Sequence, residues 1–402
     1  MSNANPTNDE LCIASITRIS YINECQEYTL CPNVRYPGTV RFPGFFCCVE
    51  RWNNVEKVIL QEVMKEMKLS DRVILPLVGS AFQPGKAAEA IEKIKDKELA
   101  QIAQGEYYFF SAQAEKCVET VKDYLDHDDV MLRLSADMLY TFANLTLGNP
   151  QAAQCTREDV QQCLTRAMQM DAPVNVKAAC LFAFYVISIF LHIPPEEGTP
   201  PLQQYIPYLP IGQRLFAVSL LAHEIYLRQD YAKAKGVVQG AFLMADGVYP
   251  IAMIYLGCVQ AMCQINLKEQ EEAIQTVTQA WERARLDKFM EPFIEYHGLL
   301  QGVLEVCIRK KEPEMYKKLV DGVLAFSRGW MKIHNPKMQK AVTDLLSPLE
   351  YSIAMLACRD WTNQEIAEHL GLSVNTVKHY VSGILGKLQI DKRDKIKDFV
   401  NQ

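Results

Sequence analysis

Apolar and polar residues recur with a helical period over most of this chain. From about residue 86 to residue 330, apolar side chains return every three or four positions, the spacing of one face of an amphipathic helix. Turn-forming residues interrupt the pattern at 148–150, 194–201 and 247–250. The pattern therefore predicts an all-α fold whose helices are joined at these breaks.

Two of the predicted helices resemble each other, because residues 230–245 align with residues 269–284, and residues 316–329 form a looser third copy. The equivalent pairs are Ala234 and Ala273, Val238 and Val277, Ala241 and Ala280, and Phe242 and Trp281. Small residues beside larger apolar ones let neighbouring helices pack closely. Repeated helix pairs stack into an array, and this one resembles the tetratricopeptide family at a longer offset than its usual repeat of about 34 residues. We therefore expect an irregular tetratricopeptide-like helical-repeat array.

Composition limits the classes of protein that fit. The chain has 402 residues, 49% of them hydrophobic, so it can hold two or three domains with substantial cores. Its net charge of −6 opposes binding to nucleic acid or to an anionic membrane along its whole length, so any basic surface must be local. The most hydrophobic run, 178–193, is shorter than the roughly 20 residues of a membrane span, which predicts a buried helix and no membrane contact.

The thirteen cysteines include no C-x-x-C pair, and no charged leader precedes an apolar segment at the N-terminus. Reduced thiols and a cytoplasmic location fit these features. Cys25, Cys31, Cys47 and Cys48 lie close together but lack the usual zinc-ligand spacing, which favours small buried hydrophobic side chains over a metal or redox site.

We assign residues 1–85 as an N-terminal region of uncertain fold that is partly loop. Residues 34–38 (VRYPG) return almost unchanged as residues 40–44 (VRFPG), and each Pro-Gly suits the centre of a type II turn. A packed connecting loop is the favoured interpretation, and a tip that binds a partner is the alternative.

Motifs for catalysis or cofactor binding are incomplete. Residues 79–87 (GSAFQPGKA) suggest a phosphate loop, but five residues separate the glycines and Ala87 replaces the hydroxyl that holds magnesium. We expect a turn into a helix there instead. His223 and Glu224 lack the second histidine of a zinc-protease helix, since Leu227 takes its place. The sequence therefore predicts no enzyme activity, no cofactor and no metal.

Residues 363–381 (NQEIAEHLGLSVNTVKHYV) contain two short helical patterns around a turn. Thr362 and Glu365 have the spacing of a capping box, and Gly371 stands where the first helix should end in a left-handed residue. Ser373 is placed to cap the second helix. This order of signals predicts a helix-turn-helix.

The predicted second helix has an apolar face and, opposite it, a polar stripe. The stripe consists of Asn375, Lys378, His379, Ser382 and Gly386. Such donors and small side chains can enter a major groove and meet base edges. Residues 373–397 contain six Lys/Arg and two Asp, so this segment has a net charge of +4 in a chain whose net charge is −6. The local positive charge is what contact with DNA requires.

Residues 346–400 resemble the LuxR-type helix-turn-helix family. The matching residues are Leu346, Ser347, Glu350, Asn363, Glu365, Ile366, Ala367, Leu370, Ser373, Thr376, Val377, Lys378, Val381, Ile384, Lys387, Leu388 and Arg393. The resemblance implies a four-helix domain in which the third helix reads DNA and the fourth often forms a dimer contact.

The resemblance also implies roles for individual residues. Lys378, His379 and Ser382 fall at positions that contact bases, whereas Thr376 and Lys387 fall at positions that approach phosphates. The sequence departs from the family at three places, where Tyr380 replaces a usual histidine, Leu349 an arginine and Asp360 a glycine. These departures affect the expected base preference of the domain, and not its expected fold or its binding to DNA.

Together these features predict three regions: 1–85 of uncertain fold, a helical-repeat signal-receiving domain at 86–340, and a LuxR-type DNA-binding domain at 346–402. The predicted function is a bacterial, cytoplasmic, sequence-specific transcription regulator that binds double-stranded DNA. An unknown effector or protein partner would bind the array. The apolar edge of 392–400, with Ile396, Phe399 and Val400, predicts a homodimer on DNA. The alternative is a protein-interaction scaffold whose C-terminal helices do not bind DNA.

Overall fold

The computed structural model describes residues 72–170, 172–193, 195, 198–334 and 346–396. These residues form sixteen α-helices and four short 3₁₀ helices, and the described part of the chain contains no β-strand. The predicted all-α fold is confirmed. The two Pro-Gly turns and the cluster of four cysteines lie outside the described residues.

The first six helices form one half of the array and follow one another through short turns. They are α1 (Ala87–Glu92), α2 (Lys97–Phe110), α3 (Ala114–Val121), α4 (Val130–Thr146), α5 (Pro150–Gln169) and α6 (Val174–Phe190), with a 3₁₀ helix at Lys122–Tyr124. Aspartates start two of them, since Asp96 accepts the Glu98 and Leu99 amides and Asp129 those of Met131 and Leu132. Proline begins α5 at a position where no amide donor is needed.

The next four helices contain the two repeats, preceded by 3₁₀ helices at Leu202–Gln204 and Ile206–Tyr208. They are α7 (Ile211–Leu227), α8 (Tyr231–Met244), α9 (Pro250–Asn266) and α10 (Gln270–Ala284). Helices α7 and α8 pack as one pair, and α9 and α10 pack as the next. The predicted equivalent positions are buried in both copies: Ala234, Val238, Ala241, Ala273, Val277 and Ala280.

The fourth equivalent pair differs between the copies. Trp281 is buried against Phe293, with ring centroids 5.3 Å apart, whereas Phe242 is only partly buried. Trp281 also donates its indole N–H to Glu312 Oε1 at 2.9 Å, so elements that follow α10 cover this side chain. Membership of the tetratricopeptide family stays a prediction.

Three further helices complete the array, here defined as α1 to α13. They are α11 (Glu291–Glu295), α12 (Val303–Cys307) and α13 (Pro313–His334). The looser third copy lies within α13, where Leu319, Val323 and Phe326 are buried.

Residues 72–85 pack against the array. Arg72 forms ion pairs with Asp96 at 2.7 Å, Glu98 at 2.6 Å and Asp129 at 3.3 Å. The buried Glu106 carboxylate accepts the backbone amides of Leu77 and Val78 at 2.8 and 2.9 Å. These contacts attach residues 72–85 to the first helices of the array. The sequence of the segment did not predict this attachment.

The predicted turn into a helix near Lys86 is present, and α1 begins at Ala87. The amides of Gly85 and Ala87 donate to the Asp287 carboxylate at 2.6 and 3.0 Å. A carboxylate of the protein itself thus occupies the donors that a phosphate loop would turn toward its ligand.

A single hydrophobic core runs from Ile74 through the array to Ile396. The apolar run at 178–193 lies in its centre, because nearly every residue of α6 from Ala178 onward is buried. Among the described helices, none combines the length and the apolar character needed to cross a membrane.

Candidate nucleic-acid interface

The C-terminal part of the structure begins with two capped helices, α14 (Pro348–Cys358) and α15 (Asn363–Leu370). The predicted capping box of α15 is present: the Glu365 amide donates to Thr362 Oγ1 at 3.2 Å, and the Thr362 amide donates to Glu365 Oε2 at 2.7 Å. A second capping box, between Ser347 and Glu350, starts α14. Side chains next in sequence therefore fix where both helices begin.

A tight turn separates α15 from α16 (Val374–Leu388). Gly371 has φ of 62°, the left-handed conformation that glycine adopts without steric cost, and it ends α15 as predicted. The Ser373 side chain accepts the Thr376 amide at 3.1 Å and caps α16. The turn and its caps form a helix-turn-helix with α16 as the second helix.

Helix α16 has one buried face and one exposed face. Its buried side chains follow helical spacing: Val377, Val381, Ile384 and Leu388. Val374 and Leu385 are partly buried and pack at the edge of the core. The packing of these apolar side chains fixes the rotation of α16 about its axis, and this rotation determines which residues lie on the exposed face.

The predicted groove face is exposed. The side chains of this face on α16 are exposed: Asn375, Lys378, His379 and Ser382. Gly383 and Gly386 have no side chain, and the space where a Cβ would stand is open at both positions. A low, polar helix face of this kind fits a major groove and its base edges.

The two predicted phosphate contacts have partners within the domain. The Lys387 ammonium pairs with the Glu350 carboxylate at 2.6 and 2.7 Å, and Thr376 Oγ1 lies 2.8 Å from Ser373 Oγ. The Lys387 side chain is still 45% exposed. Contact of either residue with a phosphate stays a prediction.

Electrostatics favour a charged Glu350. Its burial opposes ionisation, but hydrogen bonds from Lys387 and from the Ser347 amide outweigh it, so the pKa of Glu350 is lowered from its ordinary value. The pair therefore joins the end of α16 to the start of α14 as ionised groups.

Arg393, near the end of the described domain, forms hydrogen bonds with residues at the start of α15. Arg393 donates to Asn363 Oδ1 at 2.7 Å and to the Trp361 carbonyl. The sequence analysis gave Asn363 and Arg393 only as family matches and predicted no contact between them, because 30 residues separate the two.

The predicted dimer edge needs one correction. Arg393–Ile396 form a 3₁₀ helix, and Ile396 is fully buried in the core of its own domain. The expectation that Ile396 forms part of an exposed edge is wrong, because its side chain closes the core beneath α14 and α16. Phe399 and Val400 lie outside the described residues.

Comparison with known proteins found both a family and individual relatives. A family model for bacterial regulatory proteins of the luxR family matches residues 344–400. The response regulator protein VraR of Staphylococcus aureus strains Mu3, COL and MW2 is 30% identical over 117 residues, which are 27% of this chain and 54% of VraR. The chain thus spans about half the length of these curated relatives, and no solved structure matches it. The chain therefore carries, at residues 344–400, a helix-turn-helix domain of the luxR family of bacterial regulatory proteins.

Proposed function

We propose that this protein is a sequence-specific DNA-binding transcription regulator in which α16 reads the major groove. The observation that carries the proposal is the exposed polar stripe of Asn375, Lys378, His379 and Ser382 on the second helix of a capped helix-turn-helix. In this motif the second helix lies in the major groove and its N-terminal residues contact base edges.

Each residue of the stripe has a role that its chemistry supports. Lys378 is a donor for the acceptor atoms of guanine, and Asn375 can donate to and accept from adenine. His379 and Ser382 offer further donors or acceptors along the same face. Thr376 and Lys387 stand at the two ends of the helix, where we place contacts with phosphates of the DNA backbone.

The remaining parts of the proposal concern the rest of the chain. We assign residues 86–340 to a domain that receives a signal from a ligand or a protein partner, and residues 346–402 to the DNA-binding domain. Residues 1–85 are assigned no role. A small domain makes few phosphate contacts and binds weakly at physiological salt, so two copies of the chain on one duplex would add their contacts. Access to a bacterial chromosome places the protein in the cytoplasm.

Selection of DNA by the full-length protein from a random duplex pool tests this function. The expected result is enrichment of a short common sequence, bound with an affinity that falls steeply as salt rises. Binding without enrichment at any salt would contradict sequence-specific regulation. The absence of binding to any duplex would favour the interaction scaffold instead.

A further inference from the structure

The array and the luxR domain meet at a contact that we call the joint. Its residues are Tyr226, Asn266, Lys268, Gln301 and Gly302 on the array, and Arg359, Glu365, His369 and Leu370 on the domain. These four domain residues belong to α15 or to the turn before it, and α14 adds Tyr351, which faces Gly298 of the array. The joint therefore grips the first helix of the helix-turn-helix and leaves α16 outside it.

Arg359 forms the polar anchor of the joint. Its guanidinium donates to Tyr226 Oη at 2.9 Å and to Asn266 Oδ1, and Asn266 in turn donates to Tyr226 Oη at 3.1 Å. Tyr226 is buried, and Arg359 and Asn266 are partly buried, so this three-residue network is shielded from water in part. Hydrogen bonds from a charged donor in such surroundings hold geometry more firmly than exposed ones.

A second contact lies at the end of α15. The buried His369 lies with Nε2 3.0 Å from the Gln301 carbonyl, so Nε2 is the donor. Burial lowers the pKa of His369, and the neutral ring suits this site. The next residue, Gly302, has φ of 87° and faces Leu370, whose side chain would collide with any Cβ at position 302.

Lys268 adds charge at the other end of α15. Its ammonium pairs with Glu365 Oε1 at 2.7 Å and remains 62% exposed. The pKa of Glu365 is lowered to about 2 by the hydrogen bond from Lys268 and by the Thr362 amide, so this carboxylate is ionised at physiological pH. The array thus supplies the cation that offsets a negative charge on the first turn of α15.

The groove face stays open while the joint is closed, because Lys378, His379 and Ser382 are exposed in the same structure. An array that inhibited DNA binding by covering α16 would bury these side chains. The first helix of a helix-turn-helix crosses the DNA backbone, so an ionised Glu365 without Lys268 would stand near phosphates and repel them.

We propose that the closed joint is the DNA-competent state, so that the array forms part of the DNA-binding unit and does not mask it. An effector or partner that binds the array then acts by opening the joint. The luxR domain is no longer held in one orientation, and the Glu365 carboxylate loses its pairing with Lys268. Arg359 is a positioning residue in this mechanism and does not touch DNA. The inference rests on the proposed DNA binding and names its regulation.

Two variants open the joint from opposite sides: Arg359→Ala in the domain and Asn266→Ala in the array. Arg285→Ala is the matched control, because Arg285 pairs with Glu282 on the array alone, at 2.6 Å. With full-length protein and the duplex it selects from a random pool, we expect affinity to fall about threefold to thirtyfold for the two joint variants and to stay unchanged for the control. Amide hydrogen exchange should quicken in residues 363–370 and not in α2 to α6.

Affinity that stays equal or rises in both joint variants, while exchange in 363–370 quickens, would overturn the proposal; a rise would show an inhibitory joint. Unchanged exchange in both variants would also overturn it, since the contact would then not hold the domain. If one variant fails to fold, the other decides the question. Failure of the parent protein to select any duplex refutes the proposed function itself, which separates the two ideas.

Discussion

Lys387 near the end of α16 pairs with Glu350 at 2.6 Å, and the same carboxylate closes the capping box of α14 through the Ser347 amide at 2.7 Å. The Glu350 side chain thus connects the start of α14 to the end of α16. Lys387 remains 45% exposed, so its ammonium is also accessible to a phosphate.

The pair predicts two separable effects of Lys387→Ala. Loss of a partly exposed ion pair should lower the free energy of unfolding by less than about 1 kcal/mol. Loss of a phosphate contact should weaken binding to all duplexes alike and reduce the slope of log K against log salt by about 0.9. Thermal melts and gel shifts over a salt series measure the two effects.

Glu350→Gln is the control for that prediction, because glutamine retains the capping box but removes the negative charge beside Lys387. Its salt slope should match or exceed that of the parent. A salt slope for Lys387→Ala equal to that of the parent would remove Lys387 from the DNA contacts.

Glu365 predicts how stability depends on pH. Its folded-state pKa of about 2 lies below the ordinary value of about 4.3, so its stabilising effect is present above about pH 4.3 and is lost as pH falls toward 2. Glu365→Gln keeps a capping side chain without this titration. The melting temperature of the parent should exceed that of Glu365→Gln at pH 6, and the difference should shrink between pH 5 and pH 2.5. A difference that is constant over this range would contradict the assignment.

The contact of Asp287 with the turn at Gly85 leads to predictions about stability and about nucleotide binding. Asp287→Ala leaves the Gly85 and Ala87 amides without their acceptor and should cost about 1–3 kcal/mol of stability. The parent protein should show no magnesium-dependent ATP binding by calorimetry. Saturable ATP binding that Lys86→Ala abolishes would instead show a nucleotide site.

Two copies of the chain should bind one duplex. Footprinting is expected to protect two half-sites related by a dyad, and Phe399→Asp should lose paired binding without unfolding the protein. The prediction rests on Phe399 and Val400 in the sequence, without the buried Ile396, and on the weak binding expected of single small modules. Analytical ultracentrifugation of the complex gives the stoichiometry, and one full-length chain per duplex at saturation would disprove pairing.

The features that the sequence predicted well are those set by neighbouring residues. The Thr362–Glu365 box, the left-handed Gly371 and the polar face of α16 each follow from a few adjacent positions. The joint and the Asp287 contact could not be predicted in this way, because Arg359 and Tyr226 are 133 residues apart and Asp287 and Ala87 are 200 apart. Burial of Ile396 was missed for the same reason, since the spacing of apolar residues in a short segment does not show which side meets the core.

Base reading by α16 is tested most directly with Lys378→Ala, measured on the duplex that the parent selects and on an unrelated duplex of equal length. Lys395→Ala is the matched control, because Lys395 pairs with Asp391 in the same domain but lies off α16. We expect Lys378→Ala to lose about 1–3 kcal/mol of binding free energy on the selected duplex and far less on the unrelated one, with Lys395→Ala affecting both alike. Equal affinity of Lys378→Ala and the parent for the selected duplex would contradict the assignment of α16 as the DNA-reading helix.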